Sequence, residues 1–427
     1  MSKLKLAEFS FADGGGGAFK AAYRLHSALR REGIQAYLHV LRKESDDPSV
    51  LSIVQHTHLG TLIPRLAPSL DQLPIKVLCR QKPLIFSTGW FGSINPIKLP
   101  EVRDADIFVL YWITLGFLGI NQIGKLLDTG KPLVWRLSDM WPFTGGCHYS
   151  GNCDRFLLRC GKCPQLYSNC SNDLSWILHR AKMKRWATGN LTIVSPSRWM
   201  AAKAQSSPIF QDRSIRVIPT GVDCTLFRPI DRALARHVLN LPPNRLLVLF
   251  GATSALTDPR KGIDKIAKLF ACLSAETHES DCLPGLVIFG TSQCPSAIPF
   301  SVQVYPMGVI HDEALLPLIY SACDIFIAPS REENLANSVL EAMACGLPIL
   351  AYRIGGMLDA VVHGQNGLLF EITDDDGFVA GLAAMLSDNL MREKMADESR
   401  ARAQARFSLI QQAHSYVDLF AEISQPK

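Results

Sequence analysis

The chain has 427 residues, 48% hydrophobic and 19% charged, with a formal net charge of +5 at pH 7. That length exceeds one ordinary hydrophobic core, and that composition leaves no large disordered share, so two globular domains are expected. No apolar run nears the roughly 20 residues that cross a bilayer, and Glu8 and Asp13 interrupt the apolar start, which argues against a signal peptide and for a cytoplasmic protein.

The charge is uneven. Residues 1–225 hold 28 Lys+Arg against 16 Asp+Glu, and the remainder holds 16 against 23. A basic first half suits an anionic substrate or surface. The basic residues are scattered and spell no nucleic-acid module, so nucleic acid is not an expected partner.

In chain order, "LKLAEFSF", "ADGGGG" and "AFKAAYRLHSALRREGI" read as strand, glycine loop and helix, with Gly33 ending the helix and "QAYLHVL" following as a strand. Such a βαβ start implies a parallel sheet. Residues 49–100, rich in Pro and Leu, show no clean period and are expected to be irregular. "ADIFVLYWI", "PLVWRL", "LTIVSPS" and "IRVIPTGVD" read as buried parallel strands.

Between them, "CHYSGNCDRFLLRCGKC" places Cys147, Cys153, Cys160 and Cys163 within 17 residues, ending in C-x2-C. In a reducing compartment that spacing points to a structural zinc site, with His148 as a spare ligand, against the alternative of free or buried thiols. Further on, "WILHRAKMKRWATGN" interleaves His179, Arg180, Lys182, Lys184 and Arg185 with Trp176, Ile177, Leu178 and Trp186. It reads either as a solvated helix packed by its tryptophans or as one lying on an anionic membrane.

A second βα series starts after "PTGVDCTLFRP" and runs through "RLLVLFGA", "KGIDKIAKLFACL", "PGLVIFG", "QVYPMG", "DEALLPLIYSA", "CDIFIAPS", "NSVLEAMACG" and "LPILAYRIGG". Two doubly wound domains follow, with a boundary near 220–230, and ligands in such sheets lie beyond the strands' carboxyl ends. In "SREENLANSVLEAMACGLP", Ser338 and Glu341 fit a capping box for a helix starting near Asn337. Glu333 stands in the preceding loop, where a ligand would lie, and the helix's first amides suit a diphosphate. The tail "SLIQQAHSYVDLFAEI" reads as a final amphipathic helix.

The E-x7-E spacing of Glu333 and Glu341, with "AMACGLPILAYRIGG" and "VVHGQNGLLF" after it, resembles the retaining glycosyltransferases of family 4. The similarity is strongest over 246–370 and clear at the N-terminal glycine loop. It implies an α/β GT-B fold: two facing, doubly wound, Rossmann-like domains with an interdomain cleft. The expected spans are an acceptor-side domain over 1–224, a nucleotide-sugar domain over 225–404, and a C-terminal helix over 405–427 packing back on the first domain.

By this resemblance, Glu333 contacts the donor sugar near the reacting face and Glu341 holds the ribose. Amides around Leu335, Ala336, Asn337 and Ser338 hold sugar and phosphate. Lys261 matches the family's lysine before glycine, and Arg260 could add a second cation against the leaving diphosphate. The arginine usual some residues earlier is absent, with Thr253 or Ser254 nearby. Gly16 and Gly17 match the glycine pair that approaches the donor, and Gly308, Val309 and Ile310 match the base-binding segment.

In "WRLSDMWPF", relatives often carry His-Asp where this chain has Ser138 and Asp139. Asp139 is then an acceptor-side group that orients, or takes the proton from, the attacking hydroxyl. Tyr111-Trp112 similarly replaces His-Trp. The cysteine cluster is similar to that of members tied to exopolysaccharide and colanic-acid-like assembly. The implied activity is metal-independent, retaining transfer from a UDP- or GDP-sugar to a glycan or lipid-linked glycan at the inner membrane face. A catalytically silent sugar-nucleotide-binding protein, or another GT-B enzyme such as an epimerase or phosphorylase, is the alternative.

Overall fold

The computed structural model describes residues 4–53, 62–78, 85–251, 258–276, 283–291 and 298–425. Two compact units emerge: Met1–Ile218 with Gln412–Lys427, and Pro219–Gln411.

The first unit is built on a seven-stranded sheet. Its strands are β1 (Lys5–Ala12), β2 (Gln35–Arg42), β3 (Val50–Ser52), β4 (Ile107–Leu110), β5 (Leu133–Arg136), β6 (Leu191–Ser195) and β7 (Ser214–Val217), in spatial order β3-β2-β1-β4-β5-β6-β7. Every pairing is parallel, with Phe9 opposite His39 on one side and Leu110 on the other. The all-buried runs of β4, β5 and β6 have the continuous apolar character of strands covered on both faces. β7 differs from expectation. As the sheet's edge it is largely exposed.

The helix Gly17–Arg31 follows β1. It stops through a Schellman turn: Gly33, at φ +85°, donates to Arg30 O, and Ile34 N donates to Leu29 O.

The second unit carries β8 (Leu247–Gly251), β9 (Gly285–Phe289), β10 (Val304–Pro306), β11 (Ile325–Ala328), β12 (Ile349–Tyr352) and β13 (Gly367–Phe370). Their order is β10-β9-β8-β11-β12-β13, again all parallel. Each sheet therefore has one place where chain order reverses direction, β1/β4 in the first and β8/β11 in the second. Loops leaving the carboxyl ends of those strands diverge and leave a crevice for a ligand.

One expectation fails within the first unit, and another is only partly met. The stretch expected to be irregular contains a 16-residue helix, Ile63–Leu78, despite Pro68 and Pro74 inside it. It buries Ala67, Asp71 and Ile75, spaced by four, while Leu62, Leu66, Leu70, Leu73 and Val77 are all at least 43% exposed. The helix Leu174–Arg185 buries His179 and Lys182 completely, and Trp186 after it caps the core. His179 and Lys182 of this basic run thus face inward, while Arg180 and Lys184 are exposed. Among the described residues no helix is long and apolar enough to cross a membrane.

The C-terminal helix Leu409–Ile423 has Tyr416 and Phe420 fully buried, and its later residues belong to the first unit.

Candidate functional site

In the second unit the β8/β11 crevice gathers the charged groups. After β8, Asp258 caps a single 3₁₀ turn, Pro259–Lys261, and Gly262 follows at φ +75°. A Cβ on Gly262 would lie 2.1 Å from Pro329 O, so only glycine lets this turn press against the loop leaving β11. Arg331 N donates to Arg260 O at 2.7 Å, and the Arg331 guanidinium pairs with Asp264. This stitching brings the Lys261 ammonium within 2.5 Å of the Glu333 carboxylate. Lys261 stays part-exposed beside a largely buried Glu333.

Glu333 is fixed from its backbone too. Its carbonyl accepts from Gly356 N at 3.2 Å, and a Cβ on Gly355 would meet that oxygen at 1.9 Å. Gly355 and Gly356 are site residues that sequence reasoning passed over, although "RIGG" was visible after a strand.

The helix Asn337–Ala344 begins with Ala336 at its N-cap. Ser338 therefore lies inside the helix and cannot open a capping box. Glu341 points into the core, where Tyr320 Oη donates to it at 2.8 Å. Leu335 is buried, while Ala336, Asn337 and Ser338 are part-exposed, so the helix start is reachable and its polar end faces the Glu333 loop.

Arg260 and Lys261 both carry a carboxylate partner. The Arg260 guanidinium binds Asp258 through Nε at 3.1 Å and Nη2 at 2.6 Å, within its own turn, whereas Lys261 reaches across to Glu333 on the loop leaving β11. Gly308 takes φ +73° and Gly290 N donates to its carbonyl at 2.8 Å, with Val309 exposed and Ile310 part-exposed beside it. Thr253 and Ser254 lie outside the described residues.

In the first unit the β1/β4 crevice holds the glycine loop. Gly15 takes the left-handed conformation, φ +78°, while Gly16 is the extended N-cap and Gly17 the first helical residue. Phe19, two residues on, packs against Trp112 and Phe11, with ring centroids 5.4 and 5.8 Å away. Trp112 carries the contact onward, its Nε1 donating to Asp139 Oδ2 at 2.6 Å. Asp139 also accepts from Trp141 N at 2.9 Å and pairs with His148 Nδ1 at 2.5 Å.

Tyr111 takes the opposite course to Trp112. Fully buried, its hydroxyl donates to Glu8 Oε1 at 2.6 Å, and Glu8 also pairs with His26. Burial and the neighbouring Glu8 carboxylate push the Tyr111 phenol well above its ordinary range. Its replacement of a histidine concerns the core.

The four cysteines come together around one cavity of about 20 Å³, with Phe86, Phe156 and Ser175 among its other walls. All four are free thiols. Burial raises Cys147, Cys160 (to about 12) and Cys163, and mutual repulsion adds to it. Lys182, buried nearby, has its ammonium pushed down to about 7 by desolvation, opposed by Cys147 and Cys160. Among the described residues no group of three or more His, Cys, Asp or Glu side chains is set out to hold a metal ion. The donor chemistry suits zinc, but the expected ligand cage is not formed.

Residues 252–402, within the second unit, match the family model described as Glycosyl transferases group 1. A D-inositol 3-phosphate glycosyltransferase of Acidothermus cellulolyticus is 32% identical over 196 residues, which cover 42% of each chain. The chain thus matches less than half of that relative's length. In fold, the protein is similar to the sucrose-phosphate synthase of Thermosynechococcus elongatus, with a TM-score of 0.68, 18% identity and 99% of each chain covered. It is also similar to Anabaena HepE in complex with UDP-glucose, with a TM-score of 0.62, 16% identity, and 98% of this chain and 100% of that one covered. The parallel sheets of seven and six strands match those of GT-B glycosyltransferases.

Proposed function

We propose that the protein is a retaining glycosyltransferase that moves a sugar from a nucleotide diphosphate donor to a glycan or lipid-linked hydroxyl in cell-surface polysaccharide synthesis. The observation that carries this reading is the Lys261–Glu333 pair at the β8/β11 crevice, beside the start of the helix Asn337–Ala344. A diphosphate needs fixed positive charge as it departs, and an ammonium with a helix N-terminus supplies it without a metal. Glu333 is then the group that orients the sugar hydroxyls. In the free protein it also holds Lys261, which the diphosphate would take over. Glu341 is assigned to the ribose and Gly308–Ile310 to the base. UDP-sugars are the first donors to test, since a fold neighbour is described with UDP-glucose.

On the first unit, Asp139 is assigned to the acceptor hydroxyl. The proposed path is front-face, with the departing phosphate taking the hydroxyl proton and Asp139 orienting the hydroxyl.

The test is a pair of substitutions. Glu333→Gln is expected to lower transfer about a hundredfold or more while nucleotide affinity stays unchanged or rises, because Lys261 is released. Lys261→Ala is expected to weaken both. Near-full activity in Glu333→Gln would remove the central assignment.

Two narrower proposals accompany this one. Zinc at Cys147, Cys153, Cys160 and Cys163 is supported by the cavity that the four thiols share. Metal content near one equivalent in protein purified without added metal supports it; less than about half argues against it. Contact with an anionic membrane is supported by the exposed leucine stripe of the helix Ile63–Leu78 and its exposed Arg65 and Lys76.

A further inference from the structure

Asp139 sits at the edge of the first unit's crevice with 8% of its side chain exposed, while His148 behind it is 1% exposed. His148 is not a neighbour of Asp139 through any regular element. It arrives from the cysteine-bearing loop, one residue past Cys147, and three sets of contacts hold it. Its carbonyl accepts from Met140 N at 2.9 Å and its amide donates to Ile85 O at 3.4 Å. Its ring lies over Trp112, with centroids 5.4 Å apart. Its Nε2 meets Ser87 Oγ at 2.9 Å, and Ser87 N in turn donates to Gly146 O at 2.9 Å.

We propose that His148 is a positioning residue for Asp139, so that the cysteine loop, through His148, sets the direction in which the acceptor-side carboxylate points. This rests on the assignment of Asp139 to the acceptor. The hydrogen-bond inventory decides the arrangement. Asp139 Oδ2 receives Trp112 Nε1–H, which can only donate, and so fixes that oxygen as an acceptor. His148 Nδ1 at 2.5 Å from the same oxygen then carries the hydrogen. Its Nε2 is left to accept from the Ser87 hydroxyl. Oδ1 is turned onto Trp141 N at 2.9 Å. Three donors from three chain segments thus lock the carboxylate plane, and a hydroxyl approaching from the crevice meets lone pairs of fixed direction. Trp112 follows the end of β4 and Trp141 opens a 3₁₀ turn, Trp141–Phe143, whereas His148 comes from a loop with little regular structure. The cluster of thiols beside it is what that loop packs around. A loop that clamps its own core can hold an imidazole to within the fraction of an ångström that orientation demands.

Two measurements on the full chain test this. In long-range proton–nitrogen spectra, His148 is expected to show the Nδ1–H tautomer with a far-downfield, slowly exchanging proton that shifts in Asp139→Asn. An Nε2–H tautomer, or a signal indifferent to Asp139→Asn, overturns the pairing. For function, UDP-glucose serves as donor and a chloroform–methanol extract of bacterial membranes as acceptor. His148→Ala is expected to lower transfer about tenfold or more, with UDP-glucose affinity by calorimetry unchanged. His148→Asn, whose amide nitrogen can reach the place of Nδ1, is expected to recover most of the rate. If Ala and Asn fall alike, or lose rate only in proportion to folded fraction, His148 is structural and the proposal fails. If the spectra show the pairing but the folded His148→Ala protein keeps its rate, the positioning role fails, and a normal rate in Asp139→Asn would remove the acceptor role of Asp139 on which it rests.

Discussion

Tyr111 and Trp112 follow β4 side by side and send their polar atoms to opposite sides, as successive residues of an extended chain must. Trp112 reaches Asp139; Tyr111 reaches Glu8, a fully buried carboxylate that also binds His26. Removing one hydroxyl there leaves a charged acceptor short of a donor where water cannot replace it. Tyr111→Phe is therefore expected to cost roughly 1–3 kcal/mol in denaturant unfolding, with no change in nucleotide affinity. A cost near zero would mean the Glu8 network tolerates an unmet oxygen. At this scale the sequence was legible where a role follows from a loop position. The loop position of Glu333, between β11 ending at Ala328 and the helix starting at Asn337, was readable in this way, and its role is the proposal made above. It was not legible where partners come from remote segments. Tyr320, 21 residues before Glu341 and bonded to it, and His148, delivered to Asp139 by an irregular loop, carry no spacing signal.

At the scale of elements, the strands and the glycine-ended helices were readable because buried parallel strands are continuous apolar runs and turns need particular residues. The helix Ile63–Leu78 was not, since its prolines and its apolar residues on two faces erase the usual period. The helix Asn337–Ala344 was placed correctly, yet its cap was misread: Ala336, with no side-chain acceptor, leaves its first turn open. Gly355 sits at φ +48°, and a Cβ added to it would lie 1.9 Å from the Glu333 carbonyl oxygen. Gly355→Ala must displace either β12's exit or the Glu333 loop. It is expected to cost on the order of 1–3 kcal/mol of stability and to lower donor affinity together with activity. Loss of stability with unchanged donor affinity would show that the glycine serves folding alone.

At the scale of the molecule, the first 225 residues carry the excess of basic charge and also the exposed leucine stripe. The charge asymmetry was visible in the sequence, but not that Leu174–Arg185 turns His179 and Lys182 inward while Ile63–Leu78 leaves its leucines exposed. If Ile63–Leu78 meets anionic lipid, the full chain should co-sediment with phosphatidylglycerol vesicles and less with phosphatidylcholine. Leu66→Gln with Leu70→Gln should abolish sedimentation without lowering the melting temperature, because both side chains are already exposed. Equal binding by that double variant would return the stripe to an ordinary surface.

The donor chemistry is tested most directly by following the anomeric protons while the protein acts on UDP-sugars with a membrane glycan extract. Retaining transfer predicts release of the nucleoside diphosphate and a new glycosidic anomeric signal with the donor's own configuration, lost in Glu333→Gln. A donor that binds and stays intact, a donor converted to another nucleotide sugar, or a product of inverted configuration would contradict it.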